Sequence, residues 1–302
     1  MGGSFGWFVS RRLAALVLTV VLAPTVTWTV FNALAGTGGG PFYEVAGDYV
    51  VTTFWHLDLG VSSAYYGGSV WTVIEYTLPA DLAMVVGGIV AGVGLGTAAG
   101  LACASWPGSL FSRALHVAAA FVLSSPPYWL GFMVLMCFAP GTGYVLELPF
   151  VSALMDYEDA THDPIGWFKA LWVPWILVGL PLAAGVMRMV VLTMREAVGE
   201  EFIRTARAKG LSERRVLRRH ALPLTVAPVA ALVGASMPLL ITNIALMESA
   251  FNIPGLYREI RSIYSNADLQ LIQAMVIETT ILIVLMNTFA DLIQARLDPR
   301  IR

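Results

Sequence analysis

The chain has 302 residues, of which 57% are hydrophobic and only 13% charged, with a formal net charge of -2. Soluble domains carry about a quarter charged residues, so a water-soluble globular protein is excluded. A uniformly basic nucleic-acid binder is excluded too, because eight of the eighteen Lys and Arg residues fall in one segment, 195–223, and none lies between Leu13 and Ser112.

Taken in chain order, Arg11 and Arg12 precede an uncharged run over 13–35. Ala33-Leu34-Ala35 mimics a signal cleavage site, but the run is about 20 residues, longer than the 7–15 of a secretory signal. It reads as a retained first span with its N-terminus inside. Residues 36–77 are Gly-rich, acidic and aromatic with no basic residue, which predicts an extracytoplasmic loop. The second span, 82–104, carries Gly88, Gly92, Gly96 and Gly100. A glycine every fourth residue lies on one helical face and lets another backbone approach closely. Residues 106–113 read as a short inside turn. The third span, 114–139, is interrupted by Ser124-Ser125-Pro126-Pro127, and a double proline at membrane depth predicts a kink.

Residues 140–169 form a second acidic loop. His162 lies there near Asp156, Glu158 and Asp163, but no metal-ligand spacing is present, and Asp163-Pro164 is a turn signal. The remaining spans are 170–187, 224–247 and 269–290, with 248–268 outside. Fifteen Lys and Arg residues then fall inside and three outside, a strong orientation signal. The expected fold is an all-α integral membrane protein with about six transmembrane helices and both termini cytoplasmic. Cys103 and Cys137 fall at opposite faces, separated by a hydrocarbon core about 30 Å thick, and read as packing residues.

Residues 195–223 are the one long polar segment. Glu196, Glu200 and Glu201 precede Arg204, Arg207 and Lys209, an order that complements a helix dipole. Gly210 follows as a left-handed C-cap, and Ser212 is placed to N-cap a second short helix. That helix is expected to run over 214–220 and end near Pro223. The expectation is a rigid elbow: helix, glycine joint, short basic helix, proline.

These residues resemble the EAA loop of ABC importer permeases, in the dipeptide and oligopeptide branch. Arg204-Thr205-Ala206 stands at the small-residue triplet, Gly210 at the glycine and Leu222-Pro223 at the end. HLDLGVS, SSPPYWLGF, the stretch 248–256 and the terminal LDPRIR are similar to other parts of that family, whereas the extracytoplasmic loop looks shortened. The resemblance implies one transmembrane permease domain over 1–302 with a type I importer-like fold, in the cell membrane of a prokaryote. It implies that Arg204, Thr205, Ala206, Ala208, Gly210, Leu211, Ser212, Arg214, Arg215, Leu222 and Pro223 couple to ATPase subunits. Its implied partners are one or two ATPases that bind ATP and Mg, a second permease subunit, an extracytoplasmic binding protein and membrane lipid. No cofactor, nucleic acid or metal is expected on this chain. The substrate stays open among dipeptides, oligopeptides, glutathione-like peptides and chelated nickel.

Polar groups inside spans are functional candidates in membranes. Ser124, Ser125, Tyr128, Ser236, Met237, Asn243 and Met247 are candidate pathway residues on that basis. Glu278, alone in the sixth span, supports a rival reading as an ion-coupled secondary transporter. The chain has no GxxxxGK[ST] phosphate loop, no HExxH and no GxSxG, so it is not expected to be an enzyme or to bind ATP itself.

Overall fold

In the computed structural model, the described residues are 2–35, 40–63, 68–141, 143–151, 157–259 and 268–297. Asp156, Arg261 and the terminal residues 298–302 lie outside them. The elements are α1 (Gly2–Ala35), α2 (Phe42–Val50), α3 (Val70–Ser105), α4 (Leu110–Ser124), α5 (Pro127–Phe138), α6 (Pro164–Val198), α7 (Glu201–Ala208), α8 (Glu213–Val216), α9 (Val226–Phe251) and α10 (Leu269–Leu297). Among the described residues five helical stretches are long and apolar enough to cross a membrane, and the pair α4 and α5, taken as one broken span, makes a sixth.

The glycine face predicted on α3 is the seam of the bundle. Gly88 faces Val178, Gly92 faces Gly179 and Leu182, Gly96 faces Ala183 and Val186, and Gly100 faces Val190. All four glycines are buried. Contacts advance together along both helices, so α3 and α6 run parallel. A Cβ on Gly96 would sit 2.5 Å from the Ala183 carbonyl oxygen and 2.7 Å from Val186 Cβ. Neither the backbone nor a β-branched side chain can step aside. We therefore expect Gly96→Ala to destabilise the bundle by about 1–3 kcal/mol, the usual cost of overpacking. A lowered melting temperature in detergent checks this, and an unchanged one would refute the tight register.

This parallel register settles which segments cross. Because α3 and α6 run in the same direction, the chain between them must return across the bundle, and among the described residues α4 with α5 is the helical path there. The expected kink at Ser124–Pro127 is a 106° break between the two helices. Ser125 and Pro126 adopt extended ψ values of 130°, and Pro127 starts α5. At 1.5 Å per residue, neither helix alone spans a core of about 30 Å. The single third span expected over 114–139 is thus two short helices, the first beginning at Leu110.

Three other expectations on boundaries are corrected. The segment 36–77 is not all loop: it contains α2, continued by a π-helical turn over Val51–Trp55, and it gives its last eight residues to α3. Tyr49 of α2 is buried and stacks on Trp28 of α1 with ring centroids 5.3 Å apart. Burial pushes its phenol up to about 12, so it stays neutral, and its hydroxyl oxygen accepts from the Gln273 side-chain amide of α10 at 3.1 Å. Helix α6 starts at Pro164, not 170, because Asp163 caps it through Ile165 N–H at 3.1 Å and proline suits the first helical turn. It also runs on to Val198, so Arg195 and Glu196 belong to a span and not to the elbow.

α9 packs antiparallel to α3, since Gly88 meets Leu240 while Asp81, earlier on α3, meets Leu256 beyond the end of α9. It also meets α6 at Gly185 through Leu232, and α10 at Asn287 and Ala290 through Gly234. α1 lies along α10. Six crossings follow, and both ends of the described chain fall at the end of the bundle that carries the basic segment.

Candidate functional site

The basic segment folds as an elbow capping one end of the bundle. A break at Gly199 and Glu200 separates α7 from α6. Glycine is a poor helix interior residue, and Glu200 adopts the extended conformation of an N-cap (φ -73°, ψ 149°). Within α7, Ile203 and Ala206 are buried at 0% and 6% exposure, so α7 is anchored by one apolar face. Arg204, Thr205, Arg207 and Ala208 are exposed, and the Thr205 hydroxyl is turned back onto the Glu201 carbonyl at 3.0 Å.

The joint is a Schellman cap. Gly210 has φ +78°, its N–H donates to the Arg207 carbonyl at 2.9 Å, and Leu211 N–H donates to the Ala206 carbonyl at 3.4 Å. Leu211, half-buried, packs against the core. The Arg207 guanidinium grips Glu213 with two hydrogen bonds of 3.0 and 2.6 Å, which tie α7 to α8 across the joint. Donation to the Glu213 carboxylate holds Arg207 above its ordinary guanidinium value.

Two predicted details differ. Ser212 stands at the N-cap position of α8, but its hydroxyl makes no cap bond. Its carbonyl instead accepts from Arg215 and Val216 N–H at 2.9 and 3.0 Å. Pro223 does not end the short helix. The chain passes from α8 through a π-helical turn, Leu217–Ala221, and a 3-10 turn, Leu222–Thr225, into α9 without leaving helical conformation. Proline clashes with the carbonyl four residues back, here Arg219. The wider π turn moves that carbonyl away and needs no Pro223 N–H. Elbow and fifth span are therefore one continuous rod.

The elbow is also held sideways. Arg214 lies over the indole of Trp106, 5.6 Å from the ring centroid, which joins it to the turn between α3 and α4. Val216, Leu217 and Ala221 are buried in the main core. Arg215 is exposed, and Leu222 and Pro223 line an apolar groove of about 740 Å³ between α3, α9 and α10.

The candidate pathway residues do not share one surface. Ser124 is exposed and bonds the Ala120 carbonyl at 2.9 Å. Ser125 and Tyr128 sit at the break before and inside α5. Met237 and Met247 are fully buried and Asn243 is 5% exposed, while Ser236 is half-buried. Met247 does meet the start of α5, since a Cβ on Gly131 would lie 3.0 Å from its sulfur. Glu278 is 6% exposed and lines neither that groove nor the cavity of about 410 Å³ between α1, α2 and α10. It instead meets Asp81 and Glu248. Asp81 falls between the predicted outer loop 36–77 and the second span, and no local signal marks its contact with residues far along the chain.

A six-crossing helical bundle whose basic elbow feeds rigidly into one span is the form of a membrane permease. The chain belongs to the family of binding-protein-dependent transport system inner membrane components, whose model matches residues 92–302. It is 30% identical to the di/tripeptide transport system permease protein DppB of Pseudomonas aeruginosa, over 98% of both chains. It is 27% identical to a probable peptide ABC transporter permease protein, y4tP, of Sinorhizobium fredii, over 98% of this chain and 99% of that one. Identity to the dipeptide transport system permease protein DppB of Escherichia coli is 30%, covering 82% of this chain and 77% of that one. The chain is a multi-pass protein of a prokaryotic cell membrane.

Proposed function

We propose that this chain is a transmembrane subunit of an ATP-driven importer of peptides, acting as one permease domain over its whole length. The observation that carries the reading is mechanical. The elbow is stiff at its joint, clamped by Arg207 and Glu213, and continuous with α9. A displacement applied to α7 and α8 reaches the span without being absorbed by a loop.

In this reading Arg204, Thr205, Ala206, Ala208, Gly210, Leu211, Ser212, Arg214, Arg215, Leu222 and Pro223 form or support the docking element for a separate ATPase subunit. That partner binds ATP and Mg. Exposed Arg204 and Arg215 meet it, while Leu211 seats the elbow on the bundle. One chain supplies one elbow, so a second permease subunit is required for two ATPases to act as a pair. A loaded binding protein delivers peptide at the opposite end, where α2 lies. The peptide class comes from the three relatives named above, each of which is named for peptide transport.

Reconstitution in proteoliposomes tests this. Peptide uptake should require ATP, the ATPase subunits and the binding protein together, and this chain alone should move nothing under a proton or sodium gradient. Gradient-driven uptake by the isolated chain would reverse the conclusion in favour of an ion-coupled carrier.

A further inference from the structure

At the end of the bundle opposite the elbow, three carboxyl groups from three spans come together. Asp81 of α3 and Glu248 of α9 are each 0% exposed, and Glu278 of α10 is 6% exposed. Asp81 lies within hydrogen-bonding reach of both glutamates. The strap 252–258, which follows α9, is drawn onto them. Leu256 N–H donates to the two Asp81 oxygens at 3.2 and 3.0 Å, and Arg258 N–H donates to Glu248 Oε2 at 3.2 Å.

The other titratable groups around the cluster are tyrosines and one arginine. Tyr257 of the strap is bonded to Thr279 through its hydroxyl at 2.8 Å. Tyr157 feels the charges of both Asp81 and Tyr76 of α3. The Arg258 guanidinium donates to Asn252 Oδ1 at 3.4 Å. Among the described residues no Lys or Arg side chain makes an ion pair with the three acids. Nor is any group of three His, Cys, Asp or Glu residues arranged there to hold a metal ion. Both oxygens of Glu278, and Oε1 of Glu248, are buried without a hydrogen-bond donor.

Three bare carboxylates cannot occupy such a place. Each ion costs several kcal/mol to desolvate, and like charges in contact repel. An O–H group removes both difficulties, because a neutral acid donates where a carboxylate can only accept. We propose that Asp81, Glu248 and Glu278 form a proton-binding site that latches the strap 252–258 to the bundle. Glu278, with no donor of its own, holds one proton and donates it to Asp81. A second proton bridges Asp81 and Glu248. The one remaining negative charge is met by the N–H groups of Leu256 and Arg258. When the strap lifts, those donors leave, water enters, and both protons pass to solvent. Acid therefore favours the latched form and alkali the released form. The inference does not rest on the transport reading.

The test uses the full-length chain, purified with whatever partners it retains and placed in nanodiscs. Infrared spectra at neutral pH should show a protonated-carboxyl C=O band, reduced in Glu278→Gln. The Gln variant should melt like wild type at neutral pH, since its amide donates the same hydrogen bond. The fall of its melting temperature with rising pH should be about half as steep, one of two linked protons being gone. Asp81→Asn provides a second variant with the same expected flattening. A wild-type spectrum without a protonated-carboxyl band would overturn the proposal. So would pH slopes unchanged in both variants, or a melting temperature raised by added sodium or calcium.

Discussion

Gly210→Val should abolish coupled uptake while leaving the chain inserted and folded in the membrane. The reason is conformational and not steric. A Cβ at this position meets nothing within 4 Å, so size is free, but φ is +78°, a region that a β-branched residue resists. Left-handed backbone costs an L-residue about 1–2 kcal/mol, a factor of roughly 5–30 in population. The α7 side of the joint rests on few apolar contacts, chiefly buried Ile203 and Ala206 and half-buried Leu211, so that cost melts the joint before it disturbs the spans. The series Gly, Asn, Ala, Val at 210 should rank uptake in that order, because Asn tolerates the left-handed region and Val does not. Whole-cell peptide uptake beside membrane abundance reads this out. Full uptake by the Val variant would show that the elbow transmits nothing through its joint.

The joint was legible because its signal is local. A glycine after a charged helix, with Ser and Glu beyond it, specifies a left-handed cap within five residues. The Gly88 to Gly100 ladder was legible for the same reason, since periodicity on one helix implies a close neighbour without naming it. The double proline likewise announced the break between α4 and α5. What stayed hidden depended on distance. Asp81, between the predicted outer loop 36–77 and the second span, carried no signal because Glu248 and Leu256, which hold it, are more than 160 residues further on. α2 was masked by its glycine-rich surroundings, although Tyr49 packs on Trp28. The true start of α6 was obscured by reading Asp163-Pro164 as a turn, when the same pair is a helix cap and first residue. Pro223 misled in the opposite sense. Proline ends regular α-helix, and nothing in the sequence announces the π turn that lets the rod continue.

The same residue type fails for the contrary reason at the other end of the molecule. Gly255 does not have the positive φ of Gly210, so its backbone would accept alanine. Its space would not: a Cβ built there overlaps the carboxyl group of Glu248. That carboxyl is the end of a flexible side chain, yet it has nowhere to go. It is fully buried, bonded to Arg258 N–H at 3.2 Å and set against Asp81. Displacing it strands the donor on Arg258 and opens the cluster to water, at about 1–3 kcal/mol for each buried group left unmatched. Gly255→Ala should therefore lower the melting temperature and expose the strap 252–258 to protease. The double variant Gly255→Ala with Glu248→Asp should recover part of that loss, because one methylene fewer clears the added methyl. Such coupling between residues in contact is what a double-mutant cycle detects. Strictly additive losses would mean that Gly255 is required for something other than the approach of Glu248, and the strap would then be held by its apolar contacts alone.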